Sequence, residues 1–181
     1  MTSALLVIDV QKFLCTGQWA AFEIDRVIGN INAVGAKARA AGAPVVFIQH
    51  EDDGPLQPES DGCQLDERLD VQPEDLRVRK TTCDSFQKTQ LQELLQSRAV
   101  DRLVICGLQT DFCVDTTVRR ALGLGYPVTL VADAHSTVGN GVITAAQIVA
   151  HHNVTLANID SFGPKVSAIP AAEVRIEARA G

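Results

Sequence analysis

The chain has 181 residues, 46% of them hydrophobic, enough to close one well-buried core and too few to suggest two, so one domain over 1–181 is expected. A formal net charge of -6 offers no basic field to a polyphosphate backbone, which argues against a nucleic-acid partner. The 5 cysteines form neither an even set nor a C-x-x-C pair, so a disulfide framework and a structural zinc site are both poorly supported, and reduced thiols in the cytoplasm are the default.

Met1 to Val10 carries no basic stretch and reaches Asp9 after a short apolar run, which argues against a signal peptide or membrane span. Ala4 to Ile8 reads as a first strand, Glu23 to Ala41 as a helix ended by Ala41-Gly42-Ala43, and Pro44 to Ile48 as a second strand. Glu51 to Pro73 is rich in Asp, Glu, Gly and Pro; it is expected to be an active-site loop or plain solvated surface. Strands are then predicted at Leu76 to Val78, Arg102 to Ile105, Val128 to Val131 and Val154 to Ile159. Helices are predicted at Thr89 to Ser97, Asp111 to Leu124 and Gly141 to His151. The tail from Ser161 to Gly181 shows no clear continuation; Glu173 to Ala178 is read as a short strand or turn, and the tail as a possible subunit contact. Strands alternating with helices imply crossovers, hence an α/β fold around a mainly parallel sheet.

An open parallel sheet binds ligands beyond the carboxyl ends of its strands. Three reactive side chains fall there: Asp9 after the first strand, Lys80 after the third, and Cys113 after the strand ending in Ile105-Cys106 and a turn opened by Gly107. Cys113 is placed in the first turn of a helix, where free N–H groups, the helix dipole and Lys80 are expected to lower its pKa while Asp9 opposes them. Asp9 then serves as acceptor of the thiol proton and later donor to the leaving group. Taken singly, each has a plain alternative: a loop cap for Asp9, a surface position for Lys80, a small buried hydrophobe for a cysteine. The buried reading is preferred for Cys15, Cys83 and Cys106.

Ala4-Leu5-Leu6-Val7-Ile8-Asp9-Val10-Gln11, Lys80 followed by Asp84-Ser85-Phe86, Gly107 to Val114, and Gly125-Tyr126-Pro127-Val128 before Asp133-Ala134 occur together in order. This ordered set resembles the isochorismatase-like cysteine hydrolases, from about Ala4 to His152. The resemblance implies a three-layer α-β-α fold, a Rossmann-like open sheet of six strands, and a catalytic triad of Asp9, Lys80 and Cys113. It also implies a cis peptide between Leu108 and Gln109, which would turn the backbone N–H of Gln109, with that of Cys113, into an oxyanion hole. Hydrolysis of a small amide, ureide or related C–N substrate through a thioester is the leading expectation, with a homodimer or higher oligomer. Vinyl-ether hydrolysis, a non-catalytic module and a redox sensor with Cys106 as resolving thiol are the alternatives.

Gln11, Phe13, Trp19, Cys63 and His135 are candidates for the substrate pocket, although Phe13 and Trp19 serve equally well as loop packing. No cofactor is expected. Nicotinamidases of the same superfamily hold a metal with an Asp-x-His pattern after the second strand; here that region reads Gln49-His50-Glu51-Asp52-Asp53, so no metal site is expected and His50 is read as a loop hydrogen-bonding residue. His151 and His152 are assigned to a helix end or a subunit contact.

Overall fold

The computed structural model describes residues 1–177. Six parallel strands form one sheet in the order β3-β2-β1-β4-β5-β6: β1 Ser3–Ile8, β2 Val45–His50, β3 Leu76–Lys80, β4 Arg102–Leu108, β5 Val128–Ser136 and β6 Val166–Ile169. The five helices are α1 Lys12–Cys15, α2 Ile24–Ala40, α3 Leu91–Ser97, α4 Asp115–Gly123 and α5 Ala145–Ala157 among the described residues. Every residue of β1 is buried, as expected of a central strand covered on both faces. Leu5 and Val7 meet Val27, Ile31 and Val34 of α2 on one face. Ala4, Leu6 and Ile8 belong to the opposite core with Leu91 and Leu95 of α3, Val118 and Leu122 of α4 and Leu156 of α5. These two cores make the three layers.

Chain order reverses between β1 and β4, and open sheets leave a crevice at such a switch point. The two strands approach closely there. Gly107 pairs with Ile8 and has φ of +116, and a Cβ on it would lie 2.1 Å from the Ile8 carbonyl oxygen. Gly107 therefore belongs inside the strand, which runs on to Leu108, and does not open a turn as the sequence suggested. Only glycine fits this backbone and this separation.

The predicted sixth strand is wrong. Val154 to Ile159 is β-branched and apolar, but Val154, Thr155 and Leu156 belong to α5. A capping box between Thr144 and Gln147 starts that helix, and its register buries Ala145, Ile148 and Leu156 while leaving Val154 63% exposed. The sixth strand is Val166–Ile169, inside the tail, where it pairs with Val128 to Val131 of β5. The tail then turns at Ala171–Glu173 and stays attached. Lys37 Nζ donates to the carbonyls of Ala171 (2.7 Å) and Ala172 (2.8 Å), and Ser3 N donates to the Glu177 carbonyl at 2.8 Å. Glu173 thus lies in a turn and not in a strand, and Ala178 lies outside the described residues.

The polar segment after β2 is less superficial than its composition suggests. Leu56, Cys63, Asp66 and Leu69 are buried, and Leu65 forms an antiparallel bridge with Gln11. Arg68 carries Asp66 into the interior by donating to both of its carboxylate oxygens. No helix among the described residues is long and apolar enough to cross a membrane.

Candidate active site

Asp9 follows β1 directly, with φ of 50 in the left-handed region that aspartate tolerates better than most residues. Its N–H donates to the Ile48 carbonyl and its own carbonyl accepts from Gln11 N, both at 2.9 Å. Cys113 lies in a π-helical segment, Thr110–Val114, that leads from β4 into α4. The peptide bond between Leu108 and Gln109 just before it is cis. Two side-chain bonds tie this segment to the end of β5. Thr110 Oγ1 lies 2.9 Å from His135 Nδ1, and Thr137 Oγ1 donates to Asp111 Oδ1 at 2.6 Å.

Lys80 ends β3, which is separated from β1 by β2. Neighbouring strands lie about 4.8 Å apart, so the lysine must extend over the end of β2 to reach Asp9. It does so with its side chain fully buried. Nζ is 2.7 Å from Asp9 Oδ2, 3.2 Å from Cys113 Sγ, 3.0 Å from the Thr82 carbonyl and 3.1 Å from His50 Nδ1. The three residues singled out from the sequence are therefore in mutual contact through one ammonium group.

Burial works against the charge on Lys80, but Asp9 and then Cys113 outweigh it and hold its pKa above the usual lysine value. The Cys113 thiol is pushed far above its usual range, first by burial and next by Asp9, against the opposing pull of Lys80. This reverses the expectation that the helix start and Lys80 lower it. Desolvation dominates because the half-buried cysteine packs beside a carboxylate that is itself almost fully buried. The other Asp9 oxygen, Oδ1, is buried without a hydrogen-bond partner among the described residues. A thiol that keeps its proton thus sits beside a carboxylate with spare acceptor capacity.

His50 is the member of this site that the sequence reading missed. It is the last residue of β2 and pairs in register with Lys80, so the lysine crosses directly over it. A ring nitrogen of His50, a carboxylate oxygen of Asp9 and Cys113 Sγ all lie within 4.8 Å of one another. Such a set of N, O and S atoms can ligate zinc, but the Lys80 ammonium already touches all three groups. The residues therefore do not fit a resident metal unless the buried lysine is displaced.

Several pocket candidates have other occupations. Gln11 is fully buried and its amide is consumed as a strap. Nε2 donates to the carbonyls of His50 (2.9 Å) and Cys63 (2.8 Å), and Oε1 accepts from His50 N at 2.9 Å. Cys63 is also buried, with its sulfur 3.4 Å from the same Gln11 amide. Both hold the polar loop against β2. His135 spends both ring nitrogens on the protein, Nδ1 on Thr110 and Nε2 on Asn153 Oδ1 at 3.0 Å, so it braces the segment that carries Cys113. Phe13 is half-buried and Trp19 exposed, their ring centroids 6.3 Å apart. Gln109 is half-buried, and its carbonyl accepts from Phe112 N and Val114 N at 3.1 Å. Cys15 and Cys106 are buried as preferred, whereas Cys83 is exposed, because it lies in the loop after β3 and not in the core.

Residues 3–161 match the family model described as the isochorismatase domain. The chain belongs to the isochorismatase family. Among curated relatives, a streptothricin hydrolase of Streptomyces noursei is 40% identical over 139 residues, covering 74% of this chain and 49% of that protein. A ureidoacrylate amidohydrolase of Pseudomonas syringae pv. syringae is 30% identical, covering 92% of this chain and 80% of that protein. The chain spans about half the length of the streptothricin hydrolases it matches. A crystal structure of an isochorismatase family protein superposes with a TM-score of 0.85 at 41% identity, covering 92% of this chain and 97% of the other. Hydrolases of C–N bonds thus stand among the relatives of this isochorismatase-family chain.

Proposed function

We propose that this protein is a cysteine-dependent hydrolase of a small amide, ureide or related non-peptide C–N compound, acting through a thioester on Cys113. The observation that carries the reading is the buried contact of Lys80 Nζ with both Asp9 (2.7 Å) and Cys113 (3.2 Å). Because the resting thiol holds its proton, the nucleophile must be made at the moment of attack, and the Asp9 carboxylate is the base positioned to do it. The thiolate then adds to the acyl carbon while the N–H groups of Gln109 and Cys113 receive the oxyanion. The amine leaves with the proton that Asp9 took. Water, activated by the same carboxylate, cleaves the thioester and frees the acid. Lys80 balances whichever of Asp9 and Cys113 carries the negative charge, so charge moves between them without leaving a buried anion unpaired. A vinyl-ether hydrolysis would give the thiol no role, and the placement of the thiol beside its base favours acyl transfer.

Ammonia release from a panel of small amides and ureides tests the proposal, with intact-mass detection of an acylated Cys113. The wild-type protein is expected to release ammonia from at least one compound, and Cys113→Ala to lose at least about a thousandfold in rate while keeping its unfolding midpoint. Ammonia release retained by the folded variant would overturn the reading. Light scattering tests its assembly as a homodimer or higher oligomer.

A further inference from the structure

The proposed chemistry leaves His50 unused, although few residues near the site are held more firmly. Its backbone N–H and C=O are both engaged by the Gln11 amide at 2.9 Å, and Cys63 Sγ lies 3.6 Å from the same carbonyl. Its ring therefore has a fixed origin.

The contact with Lys80 decides the state of that ring. Nζ and Nδ1 are 3.1 Å apart, and an ammonium group has protons but no lone pair, so Lys80 donates and Nδ1 accepts. Burial first, then the charge of Lys80, hold the imidazole below the usual histidine range, against weaker pulls from Asp9, Asp52 and the Thr82 carbonyl. A neutral ring with its lone pair at Nδ1 carries its one proton at Nε2. The Thr82 carbonyl is the one backbone acceptor that pulls on the ring; Nε2 is not one of the buried unpartnered atoms, and the residue is only half-buried. An N–H of defined position is thus left open to solvent. A ring nitrogen lies within 4.8 Å of Cys113 Sγ, so Nε2, at most one ring width further out, falls in the range of an oxygen two or three bonds from a carbon attacked by that sulfur.

We propose that His50 is a specificity-determining residue whose Nε2–H donates to an oxygen of the substrate beyond the scissile carbonyl. The site then prefers acyl or ureido compounds that carry a second acceptor oxygen over plain aliphatic amides. This rests on the hydrolase reading and narrows its substrate class.

Two variants separate donation to substrate from mere support of Lys80. His50→Asn places an amide oxygen near the Nδ1 position and can still accept from Lys80, but it has nothing at Nε2. His50→Gln reaches the Nε2 position with an amide N–H and gives up the Nδ1 contact. The first readout is the ratio of kcat/KM for malonamide over butyramide. The second needs no turnover: the ratio of Cys113 alkylation rates with iodoacetamide, which has a carbonyl acceptor, and allyl iodide, which has none, resolved by peptide mapping. The expected result is a fall of about fivefold in both ratios for His50→Asn, the size of one neutral hydrogen bond, with recovery in His50→Gln. Ratios unchanged in His50→Asn would overturn the proposal, as would loss in His50→Gln with rescue by His50→Asn, the pattern of a residue that only positions Lys80. If no compound of the amide and ureide panel is turned over while the alkylation ratio falls as expected, the hydrolase reading fails and the His50 donor stands.

Discussion

The Lys80–Asp9 pair should behave as a buried ion pair and not as a surface one, and the difference is large enough to measure. The lysine side chain is 0% exposed and that of Asp9 1% exposed. Replacing Lys80 by Met keeps the length of the stem but removes the ammonium from Asp9 Oδ2, leaving a carboxylate whose Oδ1 already lacks a partner. Breaking one side of such a pair costs about 3–5 kcal/mol. With a urea dependence of about 2 kcal/mol per M, the midpoint should fall by roughly 2 M. Removing both charges in Asp9→Leu with Lys80→Met should cost less than the sum of the single changes, because no uncompensated charge remains, and the cycle should show a coupling of at least about 2 kcal/mol. Equilibrium urea unfolding of the four proteins measures this. A Lys80→Met cost below about 1 kcal/mol, the range of exposed pairs, would refute the argument that this site is dry.

Burial holds the His135 pKa down to about 4 from 6.5. The unfolded chain therefore takes up a proton that the folded one refuses as pH falls from about 6.5 to 4, and stability should drop by about 3 kcal/mol over that window; His135→Gln should flatten the slope in urea unfolding run at several pH values. Gly107→Ala should abolish soluble expression, since the added Cβ would lie 2.1 Å from the Ile8 carbonyl oxygen; a soluble variant with a wild-type melting temperature would contradict the close strand approach. Gln11→Leu should lower stability by about 2–3 kcal/mol by stranding the buried backbone groups of His50 and Cys63, and hydrogen exchange should then rise in the loop 51–65 more than in α2.

Much of the architecture is legible because both faces of a central parallel strand must be apolar, so Leu5 to Ile8 and Leu103 to Ile105 announce themselves without any alternation. Val154 to Ile159 misled for the same reason: an apolar β-branched run has no period of its own, and the capping box at Thr144 was the competing signal that decided it. Asp9, Lys80 and Cys113 were readable as residues at or just beyond strand ends. His50 was not, because ending β2 at Ile48 left it in a loop, and nothing in the sequence tells that β3 lies outside β2 and sends its lysine over that strand's last residue. The direction of the Cys113 shift was hidden too: the residue order reveals a helix start, while the packing of the thiol beside the buried Asp9 arises only when three strand ends meet. Gln11 and Cys63 were read as pocket candidates, and their polar atoms are used up in holding the loop.

That the ammonium comes from the edge strand has a bearing on the life of the chain before it is finished folding. β1 and β4 alone bring carboxylate and thiol together, yet without the docking of β3 over β2 the two share no cation, and whichever of them carries the negative charge is left unbalanced. On the hydrolase reading proposed above, a partly folded chain would therefore be chemically quiet. On the proposed mechanism, activity would arrive with the last strand on that side of the sheet, so the recovery of turnover after denaturation would report completion of the edge and not collapse of the centre.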